Sequence, residues 1–278
     1  MKNMRLSVHC MYIFIINFMI SFAPNLLWSS SIDNNQKYFQ KGIIQAKGIS
    51  ASGQSKYNAI ESAKIIAQKN LIEQIKGIII TNTTQMKNGI IISDIIQSKV
   101  SGLIRGAQSC GQTFYKEKGY AEVCMEIKLN GQGGVYDIIY PFIQNLYPKD
   151  MVFISENNNN NNKLIEYNGL IIDIRQFSEF MPSLANRILD TNDRVVYDPS
   201  MVSQNILIQQ GHAQFATNQD KGKAILSDFG SDNPLIITPK RLKNNTDIIV
   251  TIDDAETIYL VNKKTGMLHK ARVVFVLK

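Results

Sequence analysis

GQTFYKEKGYAEVCMEIKLN, residues 111–130, decides the fold of the first half of the chain. Ala121, Val123, Met125, Ile127 and Leu129 alternate with Glu122, Cys124, Glu126 and Lys128. A period of two sets these groups on opposite faces of a strand. One face is wholly apolar, so the strand is expected to be half-buried in a sheet with a well-specified register. Lys116-Glu117-Lys118-Gly119 precedes it, and Gly119 suits the positive φ of a tight turn. Leu103–Tyr115 is therefore expected to pair with Tyr120–Leu129 as a hairpin. With the turn centred on Glu117, Cys110 and Cys124 stand opposite each other, each seven residues away. Directly opposed cysteines in a non-hydrogen-bonded pair come within disulfide reach, so a Cys110–Cys124 bridge is expected. A single bulge would move them out of register and leave two thiols.

Upstream, Gly42–Ile49 reads as a strand and Ser55–Lys76 as a long helix ended by Gly77. Ile60, Ala63, Ala67, Leu71 and Ile75 fall on one helical stripe, and Ala59, Ala63 and Ala67 keep a flank thin enough to lie close on a sheet. Ile78–Met86 is β-branched and expected to be extended. Ser93 suits an N-cap, with Asp94 in the first turn of a helix reaching Gly102.

Downstream, Asn157–Asn162 is six consecutive asparagines, a type poor in both helix and strand. It reads as a linker over 157–163 between domains at 32–156 and 164–278. In the second, Leu164–Arg175 is an apolar strand and Asn186–Asp198 a hairpin turning at Thr191-Asn192-Asp193. Helices are expected from Ser200 to Gln210, from Lys221 to Phe229 and from a cap at Asp253 to Gly266. Leu235–Thr238, Asp247–Ile252 and Ala271–Leu277 read as strands. The fold class is α+β: two small domains, each a mainly antiparallel sheet with helices packed on one face.

The 278 residues carry a formal net charge of +7 and are 44% hydrophobic, which excludes global disorder. Lys2 and Arg5 precede an apolar run, Met11–Ala23, of signal-core length rather than spanning length. Ser29-Ser30-Ser31 offers small residues for cleavage before Ile32, making 1–31 an expected signal peptide. The alternative is an uncleaved anchor. Cys10 lies before the apolar core, where lipidation is not expected. Removal of the leader leaves Cys110 and Cys124 as the only cysteines, an even number suited to an oxidising compartment. The expected location is the periplasm or cell envelope, without a lipid anchor. The basic excess is small and not clustered, so nucleic-acid binding is not expected; peripheral association with the outer membrane is permitted.

One further pattern spans residues 40–130. Ala46-Lys47-Gly48 ends a strand, and a helix follows with Ala59, Ala63 and Ala67. Then come Ser93-Asp94, Ser101-Gly102-Leu103-Ile104-Arg105-Gly106-Ala107 and Val123-Cys124-Met125-Glu126-Ile127. This resembles the Lpp-twenty type outer-membrane lipoproteins and the N-terminal domain of flagellar assembly protein T. The resemblance implies a small non-catalytic envelope domain, with flagellar basal-body or outer-membrane proteins as partners.

No G-x-S-x-G, P-loop, G-x-G-x-x-G or H-E-x-x-H occurs. No catalytic, cofactor-binding or metal-binding residue is assigned, and no cofactor is expected. His212 and His269 read as surface or cap histidines. Asp190, Asn192, Asp193 and Asp198 form an acidic loop best explained by turn chemistry, since the EF-hand order fails. Asp173 ends an apolar strand and needs a partner, with Arg175 and Arg187 the nearest candidates. The expected function is therefore partner binding in the envelope, through the first sheet's exposed edge or outer face and the Ile90-Ile91-Ile92 region. The alternatives are binding of a ligand or polysaccharide at the envelope surface, or a periplasmic hydrolase using Asp173 and Asp198.

Overall fold

The computed structural model describes residues 36–79, 98–143, 153–154 and 166–278, and the side chains of all of these except 76, 77, 79, 142 and 143. The leader with Cys10, the Ser93 cap, the Ile90–Ile92 region and the Asn157–Asn162 run lie outside the described residues.

The chain is α+β, with its helices and sheets arranged in separate units. In the first, β1 (Ile43–Ile49), β2 (Gln108–Tyr115) and β3 (Tyr120–Lys128) form an antiparallel sheet in the order β1-β3-β2. The period-two reading of β3 holds: Ala121, Val123, Met125 and Ile127 are buried while their neighbours are not. Helix α1 (Lys56–Ile79) crosses this buried face. It runs through Gly77, where a stop was expected, and takes in the start of the expected 78–86 strand. Ala59, Ala63, Ala67, Leu71 and Ile75 are fully buried. The alanines are small for a reason visible on β1. A Cβ added to Gly48 would stand 2.0 Å from the Ala63 carbonyl oxygen and 2.4 Å from the Ala67 nitrogen. Helix backbone lies directly on strand backbone here, and both surfaces must lack side chains. Leu71 and Ile75 fill the wider end, each worth about 1.5–3 kcal/mol of burial.

The hairpin is shorter than expected, because residues 103–105 belong to a helical stretch over 98–105. Tyr115 pairs with Tyr120 across the Lys116–Gly119 turn, so Gly111 stands opposite Cys124 and Cys110 falls in a bulge between Ser109 and Gly111. The bulge does not separate the thiols. Cys110 and Cys124 form the expected disulfide, with their Cα atoms 5.1 Å apart. After β3, helix α2 (Val135–Ile143), with Pro141 near its end, has no counterpart in the sequence reading.

Among the described residues, the second half holds two sheets. One is parallel throughout: β4 (Gly169–Asp173), β7 (Gln214–Ala216), β8 (Pro234–Ile237) and β11 (Val273–Val276), in the order β7-β11-β4-β8. Every residue of β4 and β11 is buried, as a sheet covered on both faces requires. Helix α4 (Gln219–Asp228) covers one face, with Gly222 close to Val274, Ile171 and Val276. Leu170, Ile172, Val273 and Phe275 face the main core. The other sheet is mixed: β6 (Val195–Tyr197), β5 (Ile188–Leu189), β10 (Asp247–Ile249) and β9 (Arg241–Lys243). The expected turn at 191–193 connects β5 to β6.

Helix α3 (Gln204–Gln210) starts after Ser203 rather than at Ser200 and ends at Gly211, whose φ of +79° places it where glycine is favoured. Helix α5 (Ile252–Thr265) is capped by Thr251, which accepts from the Asp254 N–H. Asp253 and Asp254 are first-turn acids instead of the cap. Gly266 closes α5 in the left-handed conformation, as expected.

One apolar core spans both halves. The Phe39 ring lies 4.9 Å from that of Phe215. The Gly131 N–H donates to the Ile208 carbonyl at 2.7 Å, and Asn130 Nδ2 donates to the Gln210 carbonyl at 3.4 Å. Phe153 docks by donating its N–H to the Val195 carbonyl (2.7 Å), and the Arg194 guanidinium lies 4.5 Å above its ring.

Candidate functional site

Among the described residues, the least covered element is the β2 edge. Seven of the eight residues from Gln108 to Tyr115 are exposed, and none carries a charge. Such an edge presents unpaired backbone donors and acceptors to solvent. Its neighbouring outer face carries a stacked pair, Tyr115 and Tyr120, with centroids 4.5 Å apart, and the exposed side chain of Ile49. Glu122, opposite Thr113 and Ile49, raises the Tyr115 phenol pKa, keeping that hydroxyl a neutral donor. The disulfide ties β2 to β3 on this same sheet. The edge is thus rigid, polar in its backbone and aromatic at one end.

The acids singled out by sequence are held by separate partners. Asp173 ends β4 at the carboxyl edge of the parallel sheet, where open sheets of this kind often bind ligands. Arg175 Nε donates to its Oδ1 at 2.8 Å and Nη2 to its Oδ2 at 2.6 Å, while Gln219 Nε2, at the start of α4, donates to Oδ2 at 2.7 Å. The Arg175 hydrogen bonds outweigh the effect of burial and, with Gln219, hold this carboxyl down at about 2. It is ionised at neutral pH, with both oxygens engaged, which suits a fixed anion and not a proton donor. Of the two candidate partners, Arg175 is the one used. Arg187 instead pairs with fully buried Asp247.

Asp190 is fully buried and accepts from Arg194 Nε at 2.7 Å and from the N–H groups of Asn192 and Arg194. That is turn chemistry, as expected. Asp193 lies 3.0 Å from Lys243 Nζ. Asp198 caps the single 3-10 turn Pro199–Met201 and accepts from the Ser200 N–H at 2.6 Å. Burial pushes its carboxyl up, against the pull of Ser200, Arg187 and Met201. Asp173 ends a strand of the parallel sheet, Asp198 follows a strand of the mixed sheet, and they share no hydrogen-bond partner among the described residues. No group of three or more His, Cys, Asp or Glu side chains among them could hold a metal ion.

His212 differs from its sequence reading. It is fully buried, not on the surface, because the Gly211 turn directs the chain beneath Tyr136. His212 Nδ1 and the Tyr136 hydroxyl share a hydrogen bond at 2.8 Å. The Tyr197 hydroxyl donates to the His212 carbonyl. Among the described residues Nε2 has no hydrogen-bond partner. Burial pushes the imidazole down to about 3. Burial raises the Tyr136 phenol against a backbone hydrogen bond from His212, and burial, with Tyr136 and Asp198 nearby, raises the Tyr197 phenol. Tyr136 lies 76 residues from His212 and comes from the unrecognised α2, so no local sequence signal pairs them. His269, exposed, meets the Met201 carbonyl at 2.6 Å through Nδ1.

Residues 169–278, from the first residue of β4 to Lys278, match the family described as Treponema pallidum Tp0624, second domain. No curated protein matches the chain. The match corrects the expected kinship with Lpp-twenty lipoproteins and flagellar assembly protein T: the family found is a different one and lies in the other half of the chain. That likeness rested most on Ser101–Ala107, with a strand, a small-residue helix and a hairpin around it. The close packing of α1 on β1 accounts for the small residues of that helix whatever the ancestry.

Proposed function

We propose that this is an extracytoplasmic protein of the cell envelope that works by binding another protein rather than by turning over a substrate. The observation that carries the reading is the Cys110–Cys124 disulfide, which braces an exposed, uncharged edge strand. Disulfides persist in oxidising compartments, and a braced edge is pre-organised to accept an extended segment by backbone pairing. The leader pattern at 1–31 supports passage to the periplasm. Among the described residues no helix is long and apolar enough to cross a membrane. The engagement of Asp173, Asp190, Asp198 and Asp247 with structural partners supports binding over hydrolysis. The flagellar version rested on the corrected resemblance and is not carried further.

Photo-crosslinking in intact cells tests this reading. A benzophenone amino acid at position 115 should yield a discrete adduct with one envelope protein, and the same probe at exposed Lys263 should not. Equal labelling patterns at the two positions would contradict it.

A further inference from the structure

We propose that the His212–Tyr136 contact is an acid-sensitive latch between the two halves of the chain: the neutral imidazole holds α2 against the 211–213 turn, and protonation releases it. The geometry is that of a contact built for an uncharged ring. The Tyr136 ring packs so closely on the turn that a Cβ at Gly211 would stand 2.9 Å from it. The other ring neighbours of His212 are Phe215 on β7 and Phe275 on β11, with centroids 6.4 and 6.2 Å away.

Among the described residues, the titratable groups facing the site are two phenols. Tyr136 comes from α2. Tyr197 comes from β6, and its hydroxyl is taken by the His212 carbonyl. β7 and β11 contribute the carbon faces of Phe215 and Phe275. Among the described residues, no carboxylate bonds the imidazole.

A second proton requires both ring nitrogens to donate. One would have to donate to the Tyr136 oxygen, displacing the phenol's proton from Nδ1 if it lies there. The other, Nε2, meets no acceptor among the described residues. A cation has no place here, and the alternative is to expose the ring. The same contact closes the junction, since Asn130 and Gly131, just ahead of α2, bond the last turn of α3.

The direction follows from linkage. An exposed histidine titrates near 6.5, whereas the closed ring resists protonation down to about 3. Junction closure is at full strength above pH 6.5 and is lost as pH falls. Each unit below 6.5 favours the open form about tenfold until the closed ring itself titrates.

Native-state hydrogen exchange on the full chain tests the latch. Protection of the Gly131 amide, corrected for intrinsic exchange, should fall about 50-fold between pH 6.5 and 4.5, beyond any change in the β3 amides. In His212→Gln that extra fall should vanish. Protection that does not fall, or falls equally in the variant, would overturn the proposal. If the variant does not fold, NMR titration of the unaltered protein decides. The His212 ring should stay neutral at pH 5.5 in every molecule whose junction is closed, and a charged ring in the closed form would refute the latch.

Discussion

At the scale of single residues, Gly48 shows how little room the packing leaves. Its missing side chain lets β1 lie on the backbone of α1. Gly48→Ala places a carbon inside that contact, where neither neighbour is a flexible side-chain tip. Overpacking of this kind costs about 1–3 kcal/mol, and we expect the upper end. Denaturant titration of the variant should show an earlier midpoint with an unchanged slope. Asp173 bears on pH. Its carboxyl titrates at about 2 in the folded chain, below its usual value. Its contribution is present above about pH 4 and is lost as pH falls towards 2. Arg175 is about half exposed, which reduces that contribution to roughly 1 kcal/mol. Asp173→Asn should therefore flatten the acid limb of stability between pH 4 and 2, as thermal melts across that range would show. These two residues contrast in how readable they are. That Asp173 would need a guanidinium partner follows from a buried-looking acid at a strand end; the sequence left Arg175 and Arg187 both open, and the structure uses Arg175. The burial of His212 does not follow from its neighbours, because the partner that covers it lies on a helix far away in sequence.

At the scale of elements, alternation gave a secure strand where one face is buried and the other meets solvent over enough residues, while the three-residue β7 and β9 were too short to show it and went unread. β3 is the clear case, and its register carried the disulfide to within one residue. The extra residue at the bulge is Cys110 itself, so the bridge survives a shift that pattern alone would count against it. Closing a loop with a sequence separation of 14 stabilises by about 3 kcal/mol in the chain-entropy model. Cys110→Ser combined with Cys124→Ser should lower stability by about that amount, and reduction of the unaltered protein should reproduce the loss. Equal melting temperatures for the oxidised and reduced forms would show that the bridge does not constrain the hairpin. Strands buried on both faces lose alternation, and their direction is then hidden. β4 and β11 read correctly as apolar strands, but nothing local shows that they run parallel to β7 and β8. Helix α2 was hidden for another reason. It follows Gly131-Gln132-Gly133-Gly134 and contains Pro141, and both features signal irregular chain. The α5 cap moved from Asp253 to Thr251 because two acids in the first turn satisfy the helix dipole without capping it.

At the scale of the whole molecule, α+β architecture emerges from both halves, and they meet on one core. Two of the contacts across that junction, the Phe39–Phe215 ring pair and the Tyr136–His212 hydrogen bond, join residues far apart in sequence. The functional reading rests on a larger coincidence. The Cys110–Cys124 disulfide points outside the cytoplasm, and the proposed leader at 1–31 would supply the route there. The most direct test is intact-mass measurement, without reduction, of the protein purified from the cells that make it. The account predicts a chain beginning at Ile32 that is two hydrogens lighter than its dithiol form. A chain beginning at Met1 with Cys110 and Cys124 as free thiols would contradict it.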